Sequence, residues 1–212
     1  MAYFPFYFEL EGKNGVIIGG GKVALEKVSR LAPFGAELTV IAPRILPEIT
    51  EYDNVRAIVK EFAPDDISGA DYLIAATDDE ELNARLFALC REKHIPINVV
   101  DDKDKCDFIF PSVIRRGKLV ASVTSSGASP QVAVSVRKRF EEIIPENIED
   151  ILDYLEGIRE EVKSLVPDAG KRHRIFKKAA DAALELGRPL REEELEEIID
   201  NELKKDDQGI AL

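Results

Sequence analysis

Three glycines in a row, Gly19-Gly20-Gly21, stand between an apolar run and a helical pattern, and Lys22-Val23-Ala24 completes a G-x-G-x-x-A spacing. That spacing suits one task. A chain that turns sharply from strand into helix, with its backbone close to a pyrophosphate, has no room for side chains at the turn. The free N–H groups of the new helix then meet the phosphates with the positive end of the helix dipole behind them. Gly19, Gly20, Gly21, Lys22 and Val23 are therefore candidate dinucleotide-binding residues; a plain tight turn would use the same glycines. The acid that usually ends the second strand of an NAD site is missing, and Ile41-Ala42-Pro43-Arg44 stands in its place. Pro43 and Arg44 are candidates for the adenosine end. Arg44 suits stacking on adenine or pairing with a 2′-phosphate, and equally a solvated loop charge. NAD is the expected cofactor, and NADP stays open.

Further candidates follow two other apolar runs. Asp101 succeeds Ile97-Asn98-Val99-Val100, and Thr77-Asp78-Asp79 succeeds Tyr72–Ala76. Both positions fall at the carboxyl edge of strands, where open α/β sheets place ligands. Thr77 is expected to border the cofactor, while Asp78 and Asp79 serve equally well as a helix cap ahead of Glu81. Asp101 is a candidate functional carboxylate. Its alternative is a strand-end Asx turn, for which Asp102 and Asp104 are better suited. In Ser125-Ser126-Gly127-Ala128-Ser129-Pro130, Ser129 reads as an N-cap and Pro130 as the first helical residue. A helix start behind such a loop suits carboxylate binding and also ordinary capping. Arg115, Arg116, Lys118 and Arg137-Lys138-Arg139 make residues 112–140 basic, which predicts a local cleft for an anionic ligand through bidentate pairing. No metal site is predicted: Cys90 and Cys106 form no C-x-x-C pair. His94 falls at the amino edge of its strand, His173 reads as a surface residue or a lid residue, and Cys106 as an inert thiol.

The elements that must hold these residues follow from periodicity. Val16–Ile18, Leu38–Ile41, Tyr72–Ala76 and Ile97–Val100 are apolar on both faces, and helical patterns over Val23–Leu31 and Glu81–Cys90 lie between them. This predicts an α/β fold, a Rossmann-like doubly wound parallel sheet. Phe108–Phe110 and Leu119–Val123, separated by the turn-like Arg115–Lys118, predict a β-ribbon leaving the sheet. From Pro130 onward the pattern is helical. Ile148, Ile151, Leu152, Leu155, Ile158, Val162 and Leu165 form one apolar stripe, Pro167 and Gly170 are expected to break that helix, and Pro189 separates two more. The end is expected to fray from Asp206.

Composition bounds the partners. The chain has 212 residues, 45% of them hydrophobic, and a net charge of −12. Residues 141–212 carry 21 of the 41 acids and 11 of the 29 bases. The acidity argues against nucleic acid and against an anionic membrane surface. No apolar run approaches the ~18 residues of a membrane span. Phe4–Phe8 is apolar, but Glu9 interrupts it and no base precedes it, so no signal peptide is expected. A soluble, cytoplasmic, acidic protein is the expectation.

The motifs also occur in an order. Phe4-Pro5-Phe6, the Val16–Ala24 turn, Ala75-Ala76-Thr77-Asp78-Asp79, Asn98-Val99-Val100-Asp101, Phe108-Ile109-Phe110-Pro111-Ser112 and Ser125–Pro130 succeed one another along residues 4–165. This set resembles precorrin-2 dehydrogenases, standing alone or as the N-terminal module of siroheme synthases. The resemblance implies NAD-dependent oxidation of precorrin-2 to sirohydrochlorin, with Fe²⁺ or Co²⁺ insertion left open. Asp101 matches the family's catalytic aspartate; proton acceptance and substrate orientation both remain open for it. The substrate's acetate and propionate arms are expected at Ser125, Ser126, Gly127, Arg115 and Arg116. The resemblance further implies a homodimer of three-part chains: a Rossmann domain over 1–111, a dimerisation segment of β-ribbon and helix over 112–145, and an all-helical C-terminal domain over 146–212. The unpaired ribbon agrees with a dimer. No methyltransferase module is expected within this chain. A reading from another class also stands: an NAD(H)-sensing regulatory module without catalysis, against which the missing ribose acid and the Ser/Gly loop speak.

Overall fold

The computed structural model describes residues 3–204. They form two compact units, Tyr3–Phe110 and the chain from Pro111 on. The first unit holds five parallel strands: β1 (Asn14–Ile18), β2 (Glu37–Ala42), β3 (Val55–Val59), β4 (Tyr72–Ala75) and β5 (Ile97–Val99). Their spatial order is β3-β2-β1-β4-β5. The order reverses between β1 and β4, and Ile18 lies beside both Ile41 and Ala75, so these strand ends finish level at the reversal.

The continuous apolar runs have a simple cause, since both faces of the sheet are covered. Successive side chains alternate between the faces. Val16, Ile18, Leu73, Ala75, Ile97 and Val99 pack with Leu86 and Cys90 of α2 (Glu80–Lys93). Ile17, Val40 and Ile74 pack on the other side with Ala24 and Val28 of α1 (Lys22–Leu31). The edge strand β3 escapes the sequence pattern. It follows β2 through the short 3₁₀ turn Pro47–Glu51 instead of a helix, and its residues are half-buried or exposed.

Two expectations need correction. The ribbon is made by β6 (Ser112–Arg116) and β7 (Leu119–Val123), paired antiparallel, and the turn is Gly117-Lys118. Phe108–Phe110 is not a strand. Asn98 donates from Nδ2 to the Phe108 carbonyl at 2.8 Å, and Phe108 meets Tyr72 edge-on with ring centres 6.2 Å apart. These contacts fold the segment onto the sheet face that α1 covers. Gly170 likewise breaks no helix. It sits in the first turn of α5, where Asp168 caps the helix by accepting from the Lys171 N–H at 2.6 Å.

The second unit continues from the β6–β7 pair into α3 (Pro130–Ile143), α4 (Ile148–Leu165), α5 (Ala169–Leu186) and α6 (Glu192–Lys204). Ile151, Ile158 and Val162 of α4 pack with Ile175, Ala179 and Ala183 of α5 and with Leu195 and Ile199 of α6. Pro167 stands between α4 and α5, and Pro189 between α5 and α6, as the pattern predicts. Glu202 is fully buried, and both its oxygens are bonded, to Arg174 Nε at 2.7 Å and Lys178 Nζ at 2.6 Å. The expected fraying from Asp206 lies outside the described residues. Among those, no helix is long and apolar enough to cross a membrane.

Candidate active site

The glycine turn is shaped by its neighbours. Gly19 has φ +117°, and a Cβ there would lie 2.2 Å from the Ala76 carbonyl oxygen. A Cβ on Gly20 would lie 2.2 Å from the Arg44 carbonyl oxygen, and Gly20 accepts from the Leu46 N–H at 2.9 Å. Backbone from three strand ends therefore converges here, and only glycine fits. Gly21 differs. Nothing lies within 4 Å of where its Cβ would be. It precedes α1 as a cap residue without a side-chain hydrogen bond. The first intrahelical bond runs from the Leu25 N–H to the Gly21 carbonyl at 3.0 Å. The earlier N–H groups of α1 thus point toward open space with the dipole behind them, which fits a pyrophosphate.

Around this turn the structure gathers most of the predicted first-unit residues. Lys22 and Val23 are exposed at the start of α1. Pro43 and Arg44 are exposed in the bend after β2, and no acid ends that strand. Thr77 follows β4 beside Gly19, its nitrogen 3.3 Å from that glycine's Cβ position. The Thr77 hydroxyl donates to Asn83 Oδ1 at 3.0 Å and accepts from the Asp79 N–H at 3.1 Å. Asn83, buried in α2, returns a bond from Nδ2 to the Thr77 carbonyl at 3.0 Å. Sequence reasoning missed this clamp, because an Asn within an acidic helix start reads as solvated. Asp79 is the N-cap of α2, accepting from the Leu82 N–H at 2.9 Å.

Asp101 lies just beyond β5 at the same edge. Its φ is +64°, a left-handed conformation that Asp adopts more readily than most residues. The exposed carboxylate makes no hydrogen bond or ion pair among the described residues. Its neighbours do the structural tasks. Asp102 accepts from the Asp104 N–H at 3.2 Å and pairs with Lys105 Nζ at 2.6 Å, which holds its carboxyl below the usual range. Cys106 donates to the carbonyls of Val99 and Asp102 at 3.2 and 3.1 Å. Burial pushes that thiol up, which disfavours the thiolate, and its two bonds tie Cys106 to the backbone on either side of Asp101.

The remaining candidates belong to the second unit. Arg115 and Arg116 are exposed on β6. Ser125, Ser126 and Gly127 form the loop from β7 to α3, with Ser126 at φ +54° and Gly127 at φ +83°. The Ser125 hydroxyl accepts from the Ser129 N–H at 3.0 Å, and Ser129 caps α3 with Pro130 following it. Part of the expected basic patch is already committed. Lys118 pairs with Asp153 at 2.7 Å and with Glu156, and Arg137 pairs with Glu141 at 2.5 Å. A cavity of about 640 Å³ between α4 and α6 has Glu161, Glu192, Glu196 and Asp200 in its wall, the wrong charge for a polycarboxylate. His94 ends α2 in a left-handed conformation, and His173 is exposed on α5. Among the described residues no cluster of His, Cys, Asp and Glu suits a metal ion.

Comparison with known proteins agrees with this geometry. A family model described as "Putative NAD(P)-binding" matches residues 6–112. A siroheme synthase of Thioalkalivibrio sulfidiphilus is 37% identical over 181 residues, which cover 84% of this chain and 37% of that protein. One from Ectopseudomonas mendocina is 38% identical over 177 residues, covering 83% of this chain and 38% of its own. The chain thus spans well under half the length of these relatives. Among solved structures, SirC, a precorrin-2 dehydrogenase, superposes with a TM-score of 0.70 at 20% identity, covering 95% of this chain and all of its own; this is a likeness of fold. The chain belongs to the NAD(P)-binding family of that model, and over more than four fifths of its length it is similar to siroheme synthases.

Proposed function

We propose that this chain oxidises precorrin-2 to sirohydrochlorin in siroheme biosynthesis, with NAD⁺ as oxidant. The observation that carries this reading is Asp101, an exposed carboxylate without a hydrogen bond among the described residues, at the sheet edge that also holds the start of α1, where no side chain caps the helix. The bound coenzyme supplies a hydride acceptor. The protein's own residues have the other tasks. The turn Gly19–Gly21 and the first N–H groups of α1 would hold the pyrophosphate, Pro43 and Arg44 would take the adenosine end, and Thr77, clamped by Asn83, would border the cofactor. Oxidation removes one hydride and one proton from the tetrapyrrole. Asp101 is the residue for the proton, either by accepting it or by orienting the carbon that loses it.

Ser125, Ser126, Gly127, Arg115 and Arg116 would bind the acetate and propionate arms. Metal insertion into sirohydrochlorin, with Fe²⁺ or Co²⁺ as a second substrate, is a finer part of the same proposal. So are a cytoplasmic setting, the division at 1–111, 112–145 and 146–212, and a homodimer. The dimer is supported by a sheet that has two strands among the described residues, too few to be stable by itself, and by Val132, Phe140 and Ile143 exposed on α3. The test is anaerobic mixing of the purified protein with precorrin-2 and NAD⁺ or NADP⁺. NADH or NADPH absorbance with matching sirohydrochlorin supports the reading. Tight NADH binding without turnover or tetrapyrrole affinity would point to a sensor instead.

A further inference from the structure

The loop that carries Asp101 begins and ends on β5. Val100 leaves the sheet with its N–H on the Ala75 carbonyl at 3.0 Å. The chain returns at Asp107, whose N–H donates to the Ile97 carbonyl at 2.8 Å and whose carboxylate accepts from the Ile97 N–H at 3.0 Å. Between these anchors the Asp102 N–H donates to the Val99 carbonyl at 3.2 Å, which closes a four-residue turn with Val100 and Asp101 at its centre. Asp101 holds φ +64° there, a conformation that costs energy for any residue but glycine and so needs support from its surroundings.

Cys106 is placed to give that support. Its Sγ lies 3.2 Å from the Val99 carbonyl oxygen and 3.1 Å from that of Asp102, the two ends of the turn. One thiol hydrogen is shared between these acceptors. The same sulfur accepts from Asn98 Nδ2 at 3.4 Å, and Asn98 is buried in β5 and bonded to the Phe108 carbonyl as well. Burial disfavours the thiolate, so Cys106 keeps the hydrogen that it donates. The sulfur thus links a fixed side chain of the sheet to both ends of the turn that presents Asp101, and all of these residues belong to the first unit.

We propose that Cys106 is a positioning residue for Asp101: its thiol staples the turn Val99–Asp102 and so holds the carboxylate in place at the carboxyl edge of the sheet. The catalytic part of this inference rests on the oxidation proposed above; the staple stands apart from it. If Cys106 only filled space, serine would do no better there than alanine.

Two measurements test it, on variants that keep a small side chain at this half-buried position. The first is amide hydrogen exchange of the intact protein by NMR, without any substrate. Cys106→Ala should speed exchange at the Asp102 N–H about fivefold, the size of one hydrogen bond, while the Val100 N–H keeps its rate. Cys106→Ser, whose hydroxyl can donate to the same carbonyls, should restore most of the protection. An unchanged Asp102 rate in Cys106→Ala, or equal rates in the two variants, overturns the staple whatever the protein catalyses. The second is steady-state oxidation. Cys106→Ala should lose about tenfold in kcat, as misplacement of a reacting group does, at unchanged coenzyme KM, and Cys106→Ser should recover most of it. An unchanged kcat in Cys106→Ala, or a loss that Cys106→Ser does not recover, would overturn the positioning role. Absence of turnover in the unmodified protein would count against the oxidation instead, with the exchange rates still deciding the staple.

Discussion

Gly19 and Ala76 touch backbone to backbone: a Cβ on the glycine would stand 2.2 Å from the alanine's carbonyl oxygen. This contact closes the ends of β1 and β4 together at the point where strand order reverses. It also separates the three glycines by role. Gly19→Ala should destabilise the fold by about 2–4 kcal/mol, through positive φ and overpacking together. Gly21→Ala should cost less than about 0.5 kcal/mol but weaken coenzyme binding roughly tenfold or more, since the methyl occupies the space meant for phosphate. Urea melts and calorimetric NADH titration of both variants will tell. Equal stability losses would refute the division.

Asp101→Asn removes charge without disturbing a bond, and Asn also accepts the left-handed backbone. Its melting temperature should match the unmodified protein within a degree or so, while oxidation falls about a hundredfold or more. Retained turnover in a correctly folded variant would take Asp101 out of the chemistry.

Asn83 is buried and tied to Thr77 by two hydrogen bonds. Asn83→Ala leaves the Thr77 carbonyl without its donor, at a cost of about 1–3 kcal/mol. Coenzyme affinity should fall with it as the floor of the site loosens. Denaturant unfolding gives the first quantity and fluorescence titration the second; a neutral variant on both counts would dismiss the clamp.

How far the sequence reached can be judged residue by residue. β1, β2, β4 and β5 announce themselves because two covered faces demand unbroken apolar runs. β3 does not, since it lies at the edge and Arg56 interrupts it. Phe108–Phe110 has strand composition, yet its neighbour Asn98 captures the backbone, a tertiary bond that no local pattern encodes. The placement of the glycine turn and of Asp101 at the carboxyl edge was legible because it depends on where β1 and β5 end. The bonds of Cys106 were not. A lone cysteine reads as an inert thiol, and only the turn that returns the chain to Val99 gives it partners.

The helical unit offers a pH test. Arg188 donates to both oxygens of Glu194, at 3.0 and 2.8 Å, and with the Arg191 N–H holds its carboxyl down to about 2. A carboxyl lowered on folding adds stability above its unfolded value, ordinarily 4.5, and loses it as pH falls through the folded one. Between about pH 4.5 and 2 the unmodified protein should therefore lose melting temperature more steeply than Glu194→Gln. Parallel curves from circular dichroism would show that the pair is silent.

The thin connection after β2 has its own consequence. β3 is entered through a 3₁₀ turn and not a full helix, it is the outermost strand of its sheet among the described residues, and Val59 stands 70% exposed. Local opening there costs less than at the central strands. Deuterium should enter Val55–Val59 well before Ile17 or Ile74. The end of the sheet next to Pro43 and Arg44, where Ala42 is paired with Val59, should therefore be the first part of it to exchange.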